Sequence, residues 1–243
     1  MCTVTYIPSK SNIFITSIRK EKNGHSVVLP PEQYSFSSGS IIFPKETVSG
    51  GSWIACHANG NSVSFLNAAP AADASEEQSY RKSRGLILLD LADHTTPFNC
   101  FLAINLNRIA PFTAIISDNF HLFECYWDGK NKSYTELDAH APHIWSSVDL
   151  YSHDAASKRK MQFEESIAAI KELNQKNILE FHRDFDQKES AEGQTGASEQ
   201  FVTSSITLIT VGQQIAKMQY LDVINRQLFD TTPGMGPTTI GKQ

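Results

Sequence analysis

The chain has 243 residues, 40% of them hydrophobic and 19% charged, with 21 Lys and Arg against 26 Asp and Glu for a formal net charge of −5. This is an ordinary soluble composition, and a chain of this length can bury roughly 70–75% of the surface its unfolded form exposes. The acidic balance, with no basic block or arginine-rich helix, argues against nucleic acid as a partner, and no run reaches the ~18 apolar residues of a membrane span.

Residues 2–7 alternate with period two: Cys2, Val4 and Tyr6 share one face, and Thr3, Thr5 and Ile7 the other. A turn at Pro8-Ser9-Lys10-Ser11-Asn12 leads to a second strand over 13–19, which predicts a hairpin. Residues 25–38 read as an irregular loop. The segment 52–67 predicts a second hairpin around Asn59-Gly60, and 68–76 a mobile loop. Tyr80, Ser83-Arg84-Gly85, Leu86 to Leu89 and Leu91 predict a helix of about three turns with a broad apolar stripe, and Pro97 closes it off. Phe98 to Ile104, Ala114 to Ser117, Leu122 to Trp127, 133–138 and 143–148 read as strands. From Asp154 the pattern turns amphipathic and helical, with a second short helix around Ile178 to Phe185. Residues 187–199 read as a flexible polar loop. Strand signals return at Phe201 to Val211, Ala216 to Val223 and Gln227 to Phe229, and residues 231–243 read as a loose C-terminal tail. Strands thus come in hairpins on both sides of helical blocks, an α+β pattern, read as one domain over 1–230.

Cys2 directly follows Met1. A residue this small normally allows the methionine to be removed, leaving a thiol and a free α-amine on one residue. The amine titrates at roughly 7.7–8.0 and the thiol near 8.5, so the amine can serve as the thiol's own base. The bland alternative is a small apolar residue starting a strand. Cys56, Cys100 and Cys125 are far apart, form no C-x-x-C, and read as buried free thiols. With no basic leader before the first apolar run, the expected location is the cytoplasm. His140 and His143 have no nearby carboxylate or cysteine to complete a ligand set, so no metal and no cofactor are expected. Trp53 and Trp145 fit ligand stacking and core positions equally well.

Several pieces occur in order: Met1-Cys2-Thr3, Arg19-Lys20-Glu21, Gly50-Gly51-Ser52-Trp53-Ile54, Asn59-Gly60, Asn67, Ser83-Arg84-Gly85, Pro97-Phe98-Asn99 and Thr203-Ser204-Ser205-Ile206-Thr207. Together, over nearly the whole chain, they resemble the NRDE family, also called the transport and Golgi organisation family. That family is similar in turn to the N-terminal-nucleophile (Ntn) cysteine hydrolases. The resemblance implies a four-layer αββα sandwich of two mainly antiparallel sheets. It implies Cys2 as nucleophile, Arg19 as the active-site arginine and Asn67 as an oxyanion-hole donor. Glu21, Ser147, Trp145 and Asn99 are the candidate substrate-binding residues.

The chain departs from the family pattern at two places. Ile18 and Lys20 stand where the name motif has asparagine and aspartate, and Ser147 stands where an asparagine is usual. Lys158, Arg159 and Lys160 are candidates for a distal basic residue, although such a run more often forms a solvated face. The implied activity is an amidohydrolase or acyltransferase acting on a small amide or thioester. The alternative is a non-catalytic protein that handles a lipid, acyl-CoA or haem-like ligand on the same fold.

Overall fold

The computed structural model describes residues 2–22, 27–68, 80–147, 153–191, 201–212, 216–232 and 238–242. The loop expected over 68–76 lies outside these residues from position 69 onward, as do 192–199 of the expected polar loop.

The opening hairpin forms as its alternation predicts. β1 (Cys2–Pro8) pairs antiparallel with β2 (Ile13–Lys22), Cys2 opposite Arg19 and Pro8 opposite Ile13. β10 (His143–Ser146) flanks β1 on one side. β11 (Phe201–Val211), β12 (Ala216–Asp222), β13 (Gln227–Thr231) and β14 (Thr238–Lys242) continue beyond β2. This first sheet therefore has the order β10-β1-β2-β11-β12-β13-β14. The second sheet is a meander of β3 (Val28–Phe36), β4 (Gly39–Glu46), β5 (Ile54–His57), β6 (Ser62–Asn67), β7 (Phe112–Asp118), β8 (His121–Trp127) and β9 (Lys132–Leu137), paired in that order. The β5–β6 connection carries Gly60 at φ 93°, a left-handed position that suits the Asn-Gly turn.

Side chains alternate across each sheet and sort into three cores. Val4, Tyr6 and Ile15 of the first sheet meet Ile42, Ile54, Leu66 and Ile115 of the second, so these faces lie against each other. The opposite face of the first sheet, with Ile7, Phe14 and Ile18, packs on Phe163, Ile167 and Ile178. Those residues belong to α3 (His153–Ala169) and α4 (Gln175–Ala191). The opposite face of the second sheet, with Val63, Phe112 and Phe123, packs on Ile87, Leu88 and Phe101. Those belong to α1 (Arg84–Ala92) and α2 (Pro97–Ala103). The result is a four-layer αββα sandwich of two antiparallel sheets. No helix among the described residues is long and apolar enough to cross a membrane.

Four local expectations are corrected. The 25–38 loop contains strand β3. Pro30 and Pro31 suggested a loop, but they fall where the β3–β4 register shifts between Leu29 and Glu32, on a sheet edge. There a residue without an N–H breaks no ladder bond. The strand expected from Phe98 is helix α2, which Pro97 starts rather than ends, since proline suits the first helical turn. Residues 187–191, expected in a flexible loop, instead continue α4 to Ala191 through residues that favour helix. The tail expected over 231–243 holds β14, paired to β13 with Gln227 opposite Lys242. Its backbone pairing does not require an apolar alternation.

Candidate functional site

The site grows from the start of the β1–β2 hairpin. The backbone of Cys2 is in register with Arg19, and β2 continues to Lys22. Glu21 is therefore in phase with Arg19, Ser17 and Ile15 on the face turned to the second sheet. Arg19 and Glu21 form an ion pair. Glu46 at the end of β4 approaches Arg19 from the second sheet, 3.5 Å away. The Arg19 guanidinium also lies 4.0 Å from the centre of the Trp53 ring, a cation–π contact that flattens it against that wall. On the other side, the β2–β11 register shifts between Thr203 and Ser205. The intervening Ser204 donates its hydroxyl to the Arg19 carbonyl at 3.2 Å. A bulge at this point bends the strand beside the residue it presents.

Arg19 and Asn67 line the same cleft, a space of about 190 Å³ completed by Glu46, Ser52, Trp53, Phe65, Leu66, Arg84 and Gly85. Asn67 is there because it ends β6, paired with Phe112. Arg84 and Gly85 are there because α1 crosses the strand entry of β5 backbone to backbone. A Cβ built on Gly51 would lie 2.6 Å from the Gly85 carbonyl carbon, and the Ser52 N–H donates to the Gly85 carbonyl at 3.2 Å. The glycine pair thus serves close approach. The Ser83 side chain caps α1 by accepting from the Leu86 N–H, and Arg84 donates from Nη1 to the Pro111 carbonyl at 3.0 Å.

The remaining expected residues are placed differently. Ser147 is buried, and its hydroxyl donates to the Asn67 backbone carbonyl at 3.3 Å, so it holds Asn67 in place without lining the cleft. Trp145 is half-buried on β10 with its ring against His143, and Asn99 is exposed on α2; neither lines the cleft. Lys20, one residue out of phase with Arg19, faces the helices. It is 1% exposed and pairs with Asp186 of α4 at 2.8 Å. Asp186 also accepts from Thr203 Oγ1 at 2.5 Å. The cation at position 20 is thus matched by a helix carboxylate behind the sheet.

That rear layer also contains Arg159, which is buried while Lys158 and Lys160 are exposed. Its Nη1 donates to Thr3 Oγ1 at 3.1 Å and to the hydroxyl of Ser146, stapling β1 to β10 one residue from Cys2. His182 is fully buried with Nε2 3.0 Å from Thr5 Oγ1. Burial, and then the Arg159 charge, push its pKa down to about 3.

Glu46 and Arg84 had no assigned role in the sequence reading. Arg84 had a signal in the Ser83-Arg84-Gly85 motif. Glu46 had none, because it reaches Arg19 only through sheet-on-sheet packing. Burial raises the thiols of Cys56 and Cys125 to about 12 and that of Cys100 to about 11, which makes all three poor nucleophiles near neutral pH. Among the described residues, no group of three or more His, Cys, Asp and Glu could hold a metal ion.

No family model matches the sequence. No curated protein sequence matches it. Among solved structures, the N-acylethanolamine-hydrolyzing acid amidase (NAAA) ortholog of Caenorhabditis elegans is similar with a TM-score of 0.50 and 12% identity, over 86% of this chain and 92% of that chain. At such identity the likeness establishes the fold, which is Ntn-hydrolase-like.

Proposed function

We propose that the chain is an Ntn-type cysteine amidohydrolase or acyltransferase of the NRDE type, acting on a small amide or thioester through Cys2 once Met1 is removed. The observation that carries this reading is the convergence of Arg19, in register with Cys2, and Asn67 on one cleft between the layers of an Ntn-hydrolase-like fold. In this reading the α-amine of Cys2 takes the thiol proton and the thiolate attacks the substrate carbonyl. The developing oxyanion is met by Asn67 and a backbone N–H. The C–N or C–S bond then breaks, the leaving group takes the proton from the ammonium, and water or an acceptor removes the acyl group from the thioester. Arg19, held by Glu21, Glu46 and the Trp53 face, fixes the cationic side of the site. Incubation with a p-nitrophenyl ester or anilide of a short acid, followed by intact-mass and peptide analysis, tests it. One acyl group on the Cys2 peptide, absent in Cys2→Ala, supports the reading; acylation elsewhere or none in the wild type opposes it.

A second reading, non-catalytic handling of a lipid, acyl-CoA or haem-like ligand, is favoured by one feature: the Ser147 hydroxyl is engaged by the Asn67 carbonyl and is not presented to the cleft. Tight binding of such a ligand that is unchanged by Cys2→Ala would support it.

A further inference from the structure

We infer that Arg159 is a positioning residue: from behind the first sheet it sets the spacing between the nucleophile end of β1 and the oxyanion donor Asn67. The inference rests on the proposed hydrolase reading for the chemistry that Asn67 performs. Arg159 is 4% exposed, on α3, in the layer that covers the sheet face turned away from the cleft. Its Nη1 donates to Thr3 Oγ1 at 3.1 Å and to the Ser146 hydroxyl, and these two residues face each other across the β1–β10 ladder. One guanidinium nitrogen thus holds both strands at the same rung. Each acceptor adjoins a site residue in sequence. Thr3 follows Cys2, whose backbone is in register with Arg19. Ser146 precedes Ser147, whose hydroxyl donates to the Asn67 carbonyl at 3.3 Å.

The fold makes such a staple necessary at this rung. β10 is four residues long, lies at the edge of its sheet, and ends its pairing with β1 at Thr3 opposite Ser146. The end of a short edge strand opens readily. Yet this end carries the brace to Asn67, which crosses from the first sheet to β6 of the second, and β1 itself lies against β6. Hydrogen bonds from a cationic donor are about twice as strong as neutral ones, so the Arg159 fork closes the rung that backbone pairing leaves weak. The Phe185 ring of α4, its centre 5.4 Å from Arg159 Cζ, backs the guanidinium. Arg159 does not line the cleft, so its effect on the chemistry passes through the two strands. Placement matters at this level because a shift of about 1 Å in a catalytic group can cost ~10²-fold in rate.

The test is steady-state turnover of p-nitrophenyl acetate by Arg159→Met, with amide hydrogen exchange measured on the same protein. The expected kcat is about tenfold to a hundredfold below wild type, with KM little changed and alkylation of Cys2 intact. In an Asn67→Ala background the same change should cost less than about threefold, because the donor that Arg159 positions is gone. A purely structural role would give the full loss in both backgrounds. Backbone amides of 143–147 and 62–67 should exchange about tenfold faster in Arg159→Met, with those of β8 unchanged. If Arg159→Met does not fold, Thr3→Val/Ser146→Ala removes the same two bonds and must show the same pattern. An unchanged kcat, a full multiplicative loss in the Asn67→Ala background, parallel loss of Cys2 alkylation, or unchanged exchange at both segments would overturn the inference. If wild-type Cys2 forms no acyl-enzyme, the hydrolase reading fails on its own test and the exchange measurement decides the brace: faster exchange at both segments retains it, and unchanged exchange rejects it.

Discussion

The buried imidazole of His182 should make the protein lose stability on mild acidification. The ring is 0% exposed, its Nε2 lies 3.0 Å from Thr5 Oγ1, and burial followed by the Arg159 charge lowers its pKa from 6.5 to about 3. Between those two values the unfolded chain binds a proton that the folded chain does not. Stability from this group is therefore complete above 6.5 and falls as pH drops towards 3. At about pH 5 the unfolded imidazole lies roughly 1.5 pH units below its own pKa, so folding loses about 2 kcal/mol relative to neutral pH. In urea denaturation that is a fall of about 1 M in midpoint for a slope of about 2 kcal/mol/M. Other groups titrate over the same range, so the comparison is with His182→Gln, which keeps an amide near the Nε2 position and does not titrate. The wild type should lose about 2 kcal/mol more than the variant between about pH 7 and pH 5. Equal losses in the two proteins would refute the buried neutral imidazole.

The Lys20–Asp186 pair gives a second stability prediction. Lys20→Met leaves a carboxylate buried and should cost about 3–5 kcal/mol in denaturant unfolding, and Lys20→Met/Asp186→Leu should recover much of it. Neither change should alter alkylation of Cys2, because Lys20 faces the helices; slowed alkylation in the refolded double variant would place Lys20 in the site. Gly51→Ala puts a methyl 2.6 Å from the Gly85 backbone and should cost about 1–3 kcal/mol, read as a drop in Tm of about 2–4 °C per kcal/mol. An unchanged Tm would show that the α1 crossing yields easily. Asn67→Ala should lower turnover of an activated amide by ~10²–10³ while leaving alkylation of Cys2 intact. Parallel loss of both would mean that Asn67 supports the fold of the site and does not stabilise an oxyanion.

Much of the layout was legible because period-two alternation and turn chemistry are local. The β1–β2 and β5–β6 hairpins and the apolar stripe of α1 follow from residues that contact their own neighbours in sequence, although α1 starts at Arg84, capped by Ser83, and not at Tyr80. The same alternation places Arg19 and Glu21 on one face and Lys20 on the other once β2 is known to reach Lys22. What escaped depended on context. Phe98 to Ile104 is a short apolar run, for which helix and strand are not separable by periodicity. β3 tolerates Pro30-Pro31 only because it is an edge strand with a register shift there. β14 gains its place through backbone pairing with β13. In the site, Arg19 and Asn67 came from strands readable in sequence, whereas Glu46 and Arg84 enter through packing of a second sheet and a helix. Ser147 was assigned to ligand, and its buried hydroxyl holds Asn67.

The proposed chemistry requires Cys2 to be an unblocked, reactive N-terminal thiol. Intact mass with N-terminal sequencing, followed by timed iodoacetamide labelling near neutral pH, measures this directly. The predicted result is a chain lacking Met1, with Cys2 alkylated well before Cys100, Cys56 and Cys125, whose thiols burial raises to about 11, 12 and 12. Retained Met1, or a Cys2 that reacts no faster than Cys56, would contradict it.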